Sequence, residues 1–284
     1  TPDAPRTLPT IRADVEQYAV QYGDSLGYIA SKYNLELEML IAANESINPD
    51  WLEIGQIINV PAPQPSTSPS DFKIIPDSEL VYGPASATFD IKEFIKSRDG
   101  YLADYREEVE DEEMSGVQIV NRISREFSVN PRLLLALLEY RSGWVTSKQI
   151  EASKLDYPMG YVHQYYKGLY MQLAWTANQL NHGYYLWKIN ALSYTPLKDG
   201  GLAPLSPVIN AGTAALQYML GLNSSPKAWQ KAVSEQGVYQ TYTQFFGIPF
   251  DLAIEPLLPP DLAQPELLLP FEDDVEWSYT SGPH

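Results

Sequence analysis

The strongest constraint on the fold of this chain is its longest apolar run, Leu133 to Leu138, which closely follows Asn130 and Pro131. Asparagine is a favoured helix N-cap and proline is favoured at the first helical position, so a helix is predicted to begin near residue 131. A helix that is apolar on every side must be surrounded by other elements. The run is too short to span a bilayer, which takes about 20 apolar residues. We therefore predict a buried helix at the centre of a mainly helical domain.

The composition excludes several function classes. The 284 residues carry 19 Lys and Arg against 36 Asp and Glu, a formal charge of −17, whereas a protein that binds nucleic acid needs a basic face. There is no cysteine, which excludes disulfides, thiolate metal sites and cysteine nucleophiles. The three histidines leave little for a histidine-rich metal site, so we expect no cofactor in this chain.

Residues 17–61 are predicted to form a small βααβ unit. Alternating residues at its start indicate a strand, Ser25 can cap the helix that follows, and Pro61 ends a second strand. The residues that define the pattern are Tyr18, Val20, Gly23, Asp24, Ser25, Leu26, Ile29, Ala30, Tyr33, Leu40, Asn44, Gly55, Gln56, Ile58, Val60 and Pro61.

With this spacing the unit resembles a LysM module. The resemblance implies that it binds glycans containing N-acetylglucosamine, chiefly peptidoglycan or chitin. It places the binding groove between two loops, formed by Gly23, Asp24, Ser25 and Leu26 and facing Asn48, Pro49 and Asp50. The plainer interpretation of Gly23 and Ser25 is a turn and a helix cap.

The predicted fold class is α+β, with the βααβ module followed by a mainly α-helical domain and an extended proline-rich tail. Proline and serine make the segment after the module a stiff linker that buries nothing. Later helices are expected at about Leu169–Gly183, Asn210–Leu222 and Pro226–Phe246. The predicted divisions are an N-terminal arm 1–16, the module 17–61, the linker 62–71, the helical domain 72–249 and the tail 250–284.

Three stretches of the helical domain resemble lytic transglycosylases, which have a lysozyme-like fold. Val129–Trp144 resembles their catalytic helix, and Gly168–Leu173 resembles their Gly-Leu-Met-Gln element with one residue inserted. Asn210–Tyr218 resembles a groove-lining helix. The groove residues that the resemblance implies are Arg141, Tyr170, Gln172 and Tyr218.

The resemblance fails at the catalytic position. That family uses a glutamate directly before Ser-Gly as general acid and then base, and this chain has Arg141 there. A guanidinium has a pKa above about 12 and cannot exchange a proton in this role. Glu139 is a weak substitute, because two residues correspond to about 200° around a helix. The resemblance therefore implies a pseudoenzyme. The plainer interpretation is that Arg141 pairs with a nearby acid and that Glu139 faces solvent.

The tail is acidic and ends in a second resemblance. From Ala232 onward there are nine acids and no Lys or Arg, and leucine-rich patches suggest packing against a neighbouring surface. Residues 271–284 resemble the start of an M23-type zinc metallopeptidase domain, in which His284 would be the first zinc ligand. One histidine does not make a zinc site, so zinc is expected only if the missing peptidase domain is present.

These observations predict an exported peptidoglycan- or chitin-binding protein, extracellular or in the cell envelope, whose signal peptide has been removed. It is interpreted as the non-catalytic front part of a cell-wall peptidase, without a membrane span and without a catalytic residue of its own. Two alternatives remain: a structural surface or filament subunit that self-associates through its tail, and an active cell-wall hydrolase.

Overall fold

The structure is a computed structural model that describes residues 6–33, 35, 37–62 and 65–257. Its first unit confirms the predicted βααβ order. Strand β1 (Glu16–Ala19) pairs antiparallel with β2 (Ile57–Val60), with Tyr18 opposite Ile58. Helices α1 (Leu26–Lys32) and α2 (Leu37–Ala42) lie between them in the chain. The buried core of this unit is formed by Tyr18, Val20, Leu26, Ile29, Ala30, Leu35, Leu40, Ile58 and Val60.

The buried side chain of Asn44, which follows the second helix, connects that helix to β2 through hydrogen bonds. Its buried side-chain amide donates to the backbone oxygens of Leu40 and Asn59, both at 2.8 Å, and its Oδ1 accepts from the Asn59 N–H at 2.8 Å. A buried amide needs all of these partners, because each unsatisfied polar group costs about 1–3 kcal/mol. Asn44 therefore fastens the end of α2 to β2.

The segments on both sides of this unit contact the helical domain. In the arm, Arg6 donates to Trp187 O of the helical domain at 2.6 Å, whereas Arg12 contacts the first unit, through the Val60 and Pro61 backbone oxygens at 2.8 and 2.7 Å. In the linker, Ser66 N–H donates to Leu202 O at 2.8 Å. The linker therefore pairs with a strand that lies more than a hundred residues later, although Pro65 and Ser66 stay exposed.

The helical domain confirms the predicted class, with helices predominating over two short antiparallel hairpins. Strands β3 and β4 pair with each other, as do β5 and β6. The elements are α3 (Asp77–Leu80), α4 (Pro84–Ala87), α5 (Ile91–Arg98), α6 (Tyr101–Asp104), β3 (Arg106–Val109), β4 (Glu112–Ser115), α7 (Gly116–Glu126), α8 (Pro131–Ser142), α9 (Leu169–Lys188), β5 (Tyr194–Pro196), β6 (Leu202–Pro204), α10 (Ala211–Gly221), α11 (Pro226–Ala232) and α12 (Gln240–Phe246).

Helix α8 is the predicted central helix. Every residue from Leu133 to Leu138 is fully buried. Asn130 caps the helix by accepting from the Arg132 N–H at 2.9 Å, and Gly143 ends it with φ 71°. The apolar run therefore lies in the core, as its lack of a polar face requires.

Two predicted helix boundaries are wrong. Helix α9 continues to Lys188, beyond the expected end at Gly183. A single helix from Pro226 to Phe246 does not form: α11 ends at Ala232, Ser234 is extended, and the chain kinks again at Gly237, which has non-helical dihedral angles. A Cβ at Gly237 would lie 2.1 Å from the Ala232 backbone oxygen, so this close approach requires glycine.

The described part of the tail packs on α3. Ile254 N–H donates to Ser78 Oγ at 3.0 Å, and the Glu255 carboxylate accepts from the Asp77 N–H at 2.8 Å. The predictions that concern the Leu267–Leu269 patch, residues 271–284 and His284 lie outside the described residues. Among the residues that the structure describes, no helix is long and apolar enough to cross a membrane.

Candidate glycan-binding site

The predicted site begins in the turn between β1 and α1. Gly23 takes φ 88°, which favours glycine. The Asp24 carboxylate accepts from the Gln21 N–H at 2.7 Å and from the Tyr18 hydroxyl at 2.8 Å. These two donors, the backbone N–H first, stabilise the charged form and lower the pKa of Asp24. Asp24 therefore holds the turn in its conformation.

Ser25 and Leu26 have structural contacts. The Ser25 hydroxyl caps α1 by accepting from the Tyr28 N–H at 3.1 Å, as the plainer interpretation predicts. Leu26 is buried in the core of the module. Because the Leu26 side chain packs on the inside of α1, Leu26 could contribute to the predicted groove only through its backbone. At these positions the turn offers a ligand mainly its backbone.

The second predicted loop lies at the same end of the sheet. Ala19, at the end of β1, is opposite Ile57, at the start of β2. The Gly55 N–H donates to Val20 O at 2.8 Å, and the Val20 N–H donates to Gln56 O at 2.9 Å. The turn after β1 and the loop before β2 therefore emerge side by side. The two loops are therefore joined at their bases, at Val20 and Gly55; that Gly23–Leu26 face Asn48–Asp50 across a groove stays a prediction.

Asn48, Pro49 and Asp50 form a compact and exposed turn in that second loop. Asn48 Oδ1 accepts from the Asp50 N–H at 3.0 Å, and the Trp51 N–H donates to Asn48 O at 3.2 Å. This turn places Trp51 directly beside the predicted residues.

Sequence reasoning missed the apolar side chains of both loops. Tyr22 is 92% exposed in the first loop, and Trp51 and Ile54 are each 71% exposed in the second. Aromatic rings supply rigid contact area to a ligand, which makes these exposed side chains candidates for the binding surface. The signal was present in the sequence, since an aromatic residue lies next to the motif in each loop.

The position of the missing catalytic acid carries a buried cation. Burial lowers the pKa of Arg141, whose guanidinium donates to Leu220 O at 3.3 Å and to Ser224 Oγ at 3.5 Å. Within the described ranges Arg141 has no acidic partner, so the expectation that it pairs with a nearby acid is wrong there. These contacts link the end of α8 to the end of α10.

Glu139 holds the loop after α8. Its carboxylate accepts from the backbone N–H groups of Val145 at 3.0 Å and Thr146 at 3.1 Å, and from the Thr146 hydroxyl at 2.5 Å. The expectation that Glu139 faces solvent is therefore wrong: it is half-buried and accepts three hydrogen bonds. It faces a different loop from Arg141, as the helical spacing predicts.

The other predicted groove residues have contacts of their own. Gln172 is fully buried, so the prediction that it lines a groove is wrong. Tyr170 contacts Glu126 through its hydroxyl at 3.3 Å, whereas the Tyr218 ring lies 5.5 Å from that of His182. In the part of the chain described, no hydrogen bond or ring contact joins Tyr170 or Tyr218 to Arg141.

Gln172 organises a loop. Its Oε1 accepts from the Met159 and Tyr161 N–H groups, and its Nε2 donates to the Tyr161 and Tyr166 backbone oxygens at 2.7 Å. All four hydrogen-bonding positions of the amide are used. Gln172 is therefore a structural residue that fixes the loop before α9.

Comparison with known families assigns the helical domain. The sequence model of the family described as LasA, N-terminal domain, matches residues 73–259, about two thirds of the chain. The chain belongs to this family. LasA is related to the M23 peptidases. No solved structure matches the chain.

The first unit matches the LysM domain over residues 18–61. It is also similar to the secreted LysM effector ECP6 of Passalora fulva, with 49% identity over 45 residues. That match spans 16% of this chain and 20% of the relative, so it concerns the LysM module alone. The paired loops with Tyr22 and Trp51 therefore belong to a LysM domain, a domain type that binds N-acetylglucosamine glycans.

Proposed function

We propose that the chain is an extracellular protein that binds peptidoglycan or chitin-type glycan through its LysM domain. The observation that carries this proposal is the meeting of two loops at one end of the β1–β2 pair, where Tyr22, Trp51 and Ile54 stand exposed. The LysM match covers both loops, and the similarity to a secreted LysM effector supports the location.

The chemistry of the loops suits an uncharged sugar. The Asp24 carboxylate already accepts two hydrogen bonds inside the turn. Rings at the edge of a groove can cover the apolar face of a pyranose, while backbone N–H and C=O groups fix an acetamido group. Recognition therefore relies on Tyr22, Trp51 and the loop backbone, and less on side-chain charge.

Isothermal titration calorimetry with N-acetylglucosamine oligomers tests this proposal, alongside retention on insoluble peptidoglycan and chitin. Trp51→Ala and Tyr22→Ala should weaken binding by about tenfold or more, as loss of about 1.4 kcal/mol or more would do. Tyr165→Ala is the matched control, since Tyr165 is a similarly exposed ring in the helical domain. Unchanged affinity in both LysM variants, or no retention of the wild type, would contradict the proposal.

We also propose that the helical domain does not cleave glycan. Arg141 holds the position of the expected acid, and Glu139 is bound by the loop at Val145 and Thr146. Neither residue is placed to exchange a proton with a glycosidic oxygen. Digestion of peptidoglycan with the purified chain should release no anhydro-muropeptides. Anhydro products that disappear in Glu139→Gln would show an active lytic transglycosylase, and reducing ends formed by water would show a hydrolase; either result would contradict the proposal.

The LasA family match favours the proposal that this chain is the front part of a cell-wall peptidase. The described residues contain no cluster of His, Asp or Glu that could hold zinc, so a zinc site of the M23 type would require residues outside them. His284 remains a proposed first zinc ligand outside the described residues. The mass and peptidase activity of the natural gene product test this: a native protein that lacks any M23 domain would contradict it.

The filament alternative depends on self-association through the tail, most of which lies outside the described residues. It remains a prediction. Size-exclusion chromatography of the full chain tests it directly.

A further inference from the structure

The helical domain has a cleft of about 510 Å³ between α5, the segment from Asp99 to Arg106 and the start of α7. A second depression of about 390 Å³ adjoins it and shares two of its residues, Asp104 and Arg106. We name the pair the cationic cleft. The charged side chains that line it are Lys92, Lys96, Asp99, Asp104, Arg106 and Lys148.

The charge of the cationic cleft is opposite to that of the molecule. Four cations and two acids give the lining a formal charge of +2, within a chain of −17. Both acids are already paired, because Lys148 Nζ lies 2.6 Å from Asp99 and 3.3 Å from Asp104. A positively charged cleft focuses the local electric field and attracts small anions, even in a protein with a negative net charge.

Three cations of this cleft lack an ion pair within the described residues: Lys92, Lys96 and Arg106. Arg106 donates to the Tyr105 backbone oxygen at 3.0 Å and also borders a neighbouring depression lined by Glu107, Glu108, Asp111 and Glu113, so Lys92 and Lys96 carry the positive charge of the cleft. Lys92 and Lys96 stand four residues apart on α5, where like charges repel across one helical turn. An anion in the cleft would offset that repulsion.

The remaining lining indicates the size and chemistry of the ligand. Ile95, Ala103 and Val117 give the cleft apolar surface, and Ser115 and Gln118 add polar groups. Tyr101 and Tyr105 line the adjoining depression and pack on the buried Trp144, with ring centroids 4.8 and 4.9 Å away. Pockets of about 300–1,000 Å³ that mix apolar walls with a few polar groups bind small molecules.

A long polyanion does not fit these observations. Asp99 and Asp104 lie within the cleft, and the rest of the acidic chain would repel an extended phosphate polymer. A short ligand with one or two carboxylates can meet Lys92 and Lys96 on α5, while Asp99 and Asp104 keep their contacts with Lys148. Guanidinium and ammonium groups form strong charge-assisted hydrogen bonds with carboxylates.

We infer that the cationic cleft binds a short acidic peptide through its free carboxylates, at a site separate from the LysM loops. The inference rests on the proposed function, since the acidic peptides that cross-link wall glycan are ligands of this chemistry. The chain would then have a peptide-binding site in its helical domain in addition to the glycan-binding site of its LysM module.

Titration of the full chain with N-acetyl-L-alanyl-D-glutamate tests the inference by calorimetry. This probe carries two carboxylates and no sugar, so it leaves the LysM loops out of the measurement. We expect saturable binding that weakens as salt is raised, and about tenfold or greater weakening in Lys92→Gln/Lys96→Gln. The diamide of the probe, which has no charge, should not bind. Equal binding of the diamide, or an unchanged affinity in the double variant, overturns the inference.

Lys227→Gln/Lys231→Gln is the matched control. These two lysines are exposed, also stand four residues apart, and lie on α11 outside the cleft. The control should bind the probe as the wild type does, and an equal loss in both double variants would show a non-specific charge effect and overturn the inference. N-acetylglucosamine oligomers are titrated in parallel. Loss of oligomer binding with retained peptide binding would reject the LysM proposal alone.

The acidic residues 272–276 of the same chain are a second source of carboxylates. The full-length variant Glu272→Gln/Asp273→Asn/Asp274→Asn/Glu276→Gln separates the sources. The same affinity for the probe in this variant and the wild type supports an external peptide. Binding that appears only in the neutralised variant would assign the cleft to the chain's own tail and overturn the inference.

Discussion

Glu79 and Arg132 form an ion pair of 3.1 Å that joins α3 to the first turn of α8. The same carboxylate accepts from Asn130 Nδ2 at 3.0 Å and from the Tyr242 hydroxyl. Three parts of the helical domain that are far apart in sequence therefore meet at one buried acid. Because Asn130 is the N-cap of α8, this network also fixes where the central helix begins.

Removal of the Glu79 carboxylate should destabilise the helical domain strongly. Glu79→Ala leaves the mostly buried Arg132 without its counter-ion and two neutral donors without their acceptor. Breaking a buried pair from one side costs about 3–5 kcal/mol. Chemical denaturation of the full chain measures this. Glu126→Ala, which removes an exposed ion pair with Arg122, is the control and should change stability by less than about 1 kcal/mol. Equal effects would show that the buried network contributes little.

Stability should fall as pH rises above the ordinary pKa of glutamate. Burial, which outweighs the favourable contacts with Tyr242, Arg132 and Asn130, raises the pKa of Glu79 in the folded chain. The unfolded chain then loses its proton first, so the contribution of Glu79 is fully present below the unfolded pKa and is lost as pH rises through the folded pKa. Between the unfolded and the folded pKa of Glu79, the denaturation midpoint of the wild type should decrease as pH rises. The decrease should be smaller in Glu79→Gln. Parallel curves would contradict the prediction.

Asp24 should give the opposite pH dependence in the LysM module. Its pKa is lowered by the Gln21 N–H and the Tyr18 hydroxyl, so its contribution is present above the unfolded pKa and is lost as pH falls through the folded one. Amide NMR signals of residues 20–25 should shift on acidification, and Asp24→Asn should reduce that shift. Signals that stay constant to below the folded pKa would argue against a structural role for this carboxylate.

Substitution of Gln172 should loosen the loop between residues 159 and 166. Gln172→Ala leaves two backbone N–H and two backbone C=O groups without their partner, at about 1–3 kcal/mol for each group that stays buried. Hydrogen exchange of the Met159 and Tyr161 amides should accelerate, while glycan binding by the LysM module stays unchanged. Asn181→Ala, which removes a single bond to the Phe127 backbone oxygen, should have a smaller effect on this loop.

Two glycine substitutions should act in opposite directions. Gly237→Ala places a Cβ against the Ala232 backbone oxygen and should destabilise by about 1–3 kcal/mol. Gly27→Ala, inside α1, meets nothing closer than 3.9 Å and should stabilise the LysM module by about 0.5–1 kcal/mol. Calorimetric unfolding of both variants checks the signs. Stabilisation by Gly237→Ala would show that the kink does not require glycine.

The parts of the fold that the sequence predicted are those with local physical causes. The cap at Ser25, the start of α8 at Asn130 and the burial of its leucines all follow from neighbouring residues or from helical periodicity. The kink at Gly237 was missed although the Ala232 oxygen that it approaches is only five residues away in the chain, because the pattern of apolar residues does not report backbone dihedral angles. No periodicity reports such a contact.

The candidate site was predicted in part for the same reason. The LysM spacing located both loops, but Leu26 packs inward and the exposed Tyr22 and Trp51 were not singled out, because exposure depends on packing. Gln172 was misassigned because a likeness to a groove motif gives the residue type without its burial. The cationic cleft joins residues of α5, β3 and α7, and no single stretch of sequence shows that they meet.

The chain enters and leaves the LysM module beside the helical domain, through Arg6 at one end and Ser66 at the other. A module attached through one flanking segment can rotate freely. A module whose two flanking segments both contact the neighbouring domain has a restricted orientation. A glycan captured by the LysM loops would then be presented to the helical domain from a preferred direction. The module would then act as an oriented binding domain that aligns the glycan chain relative to the helical domain.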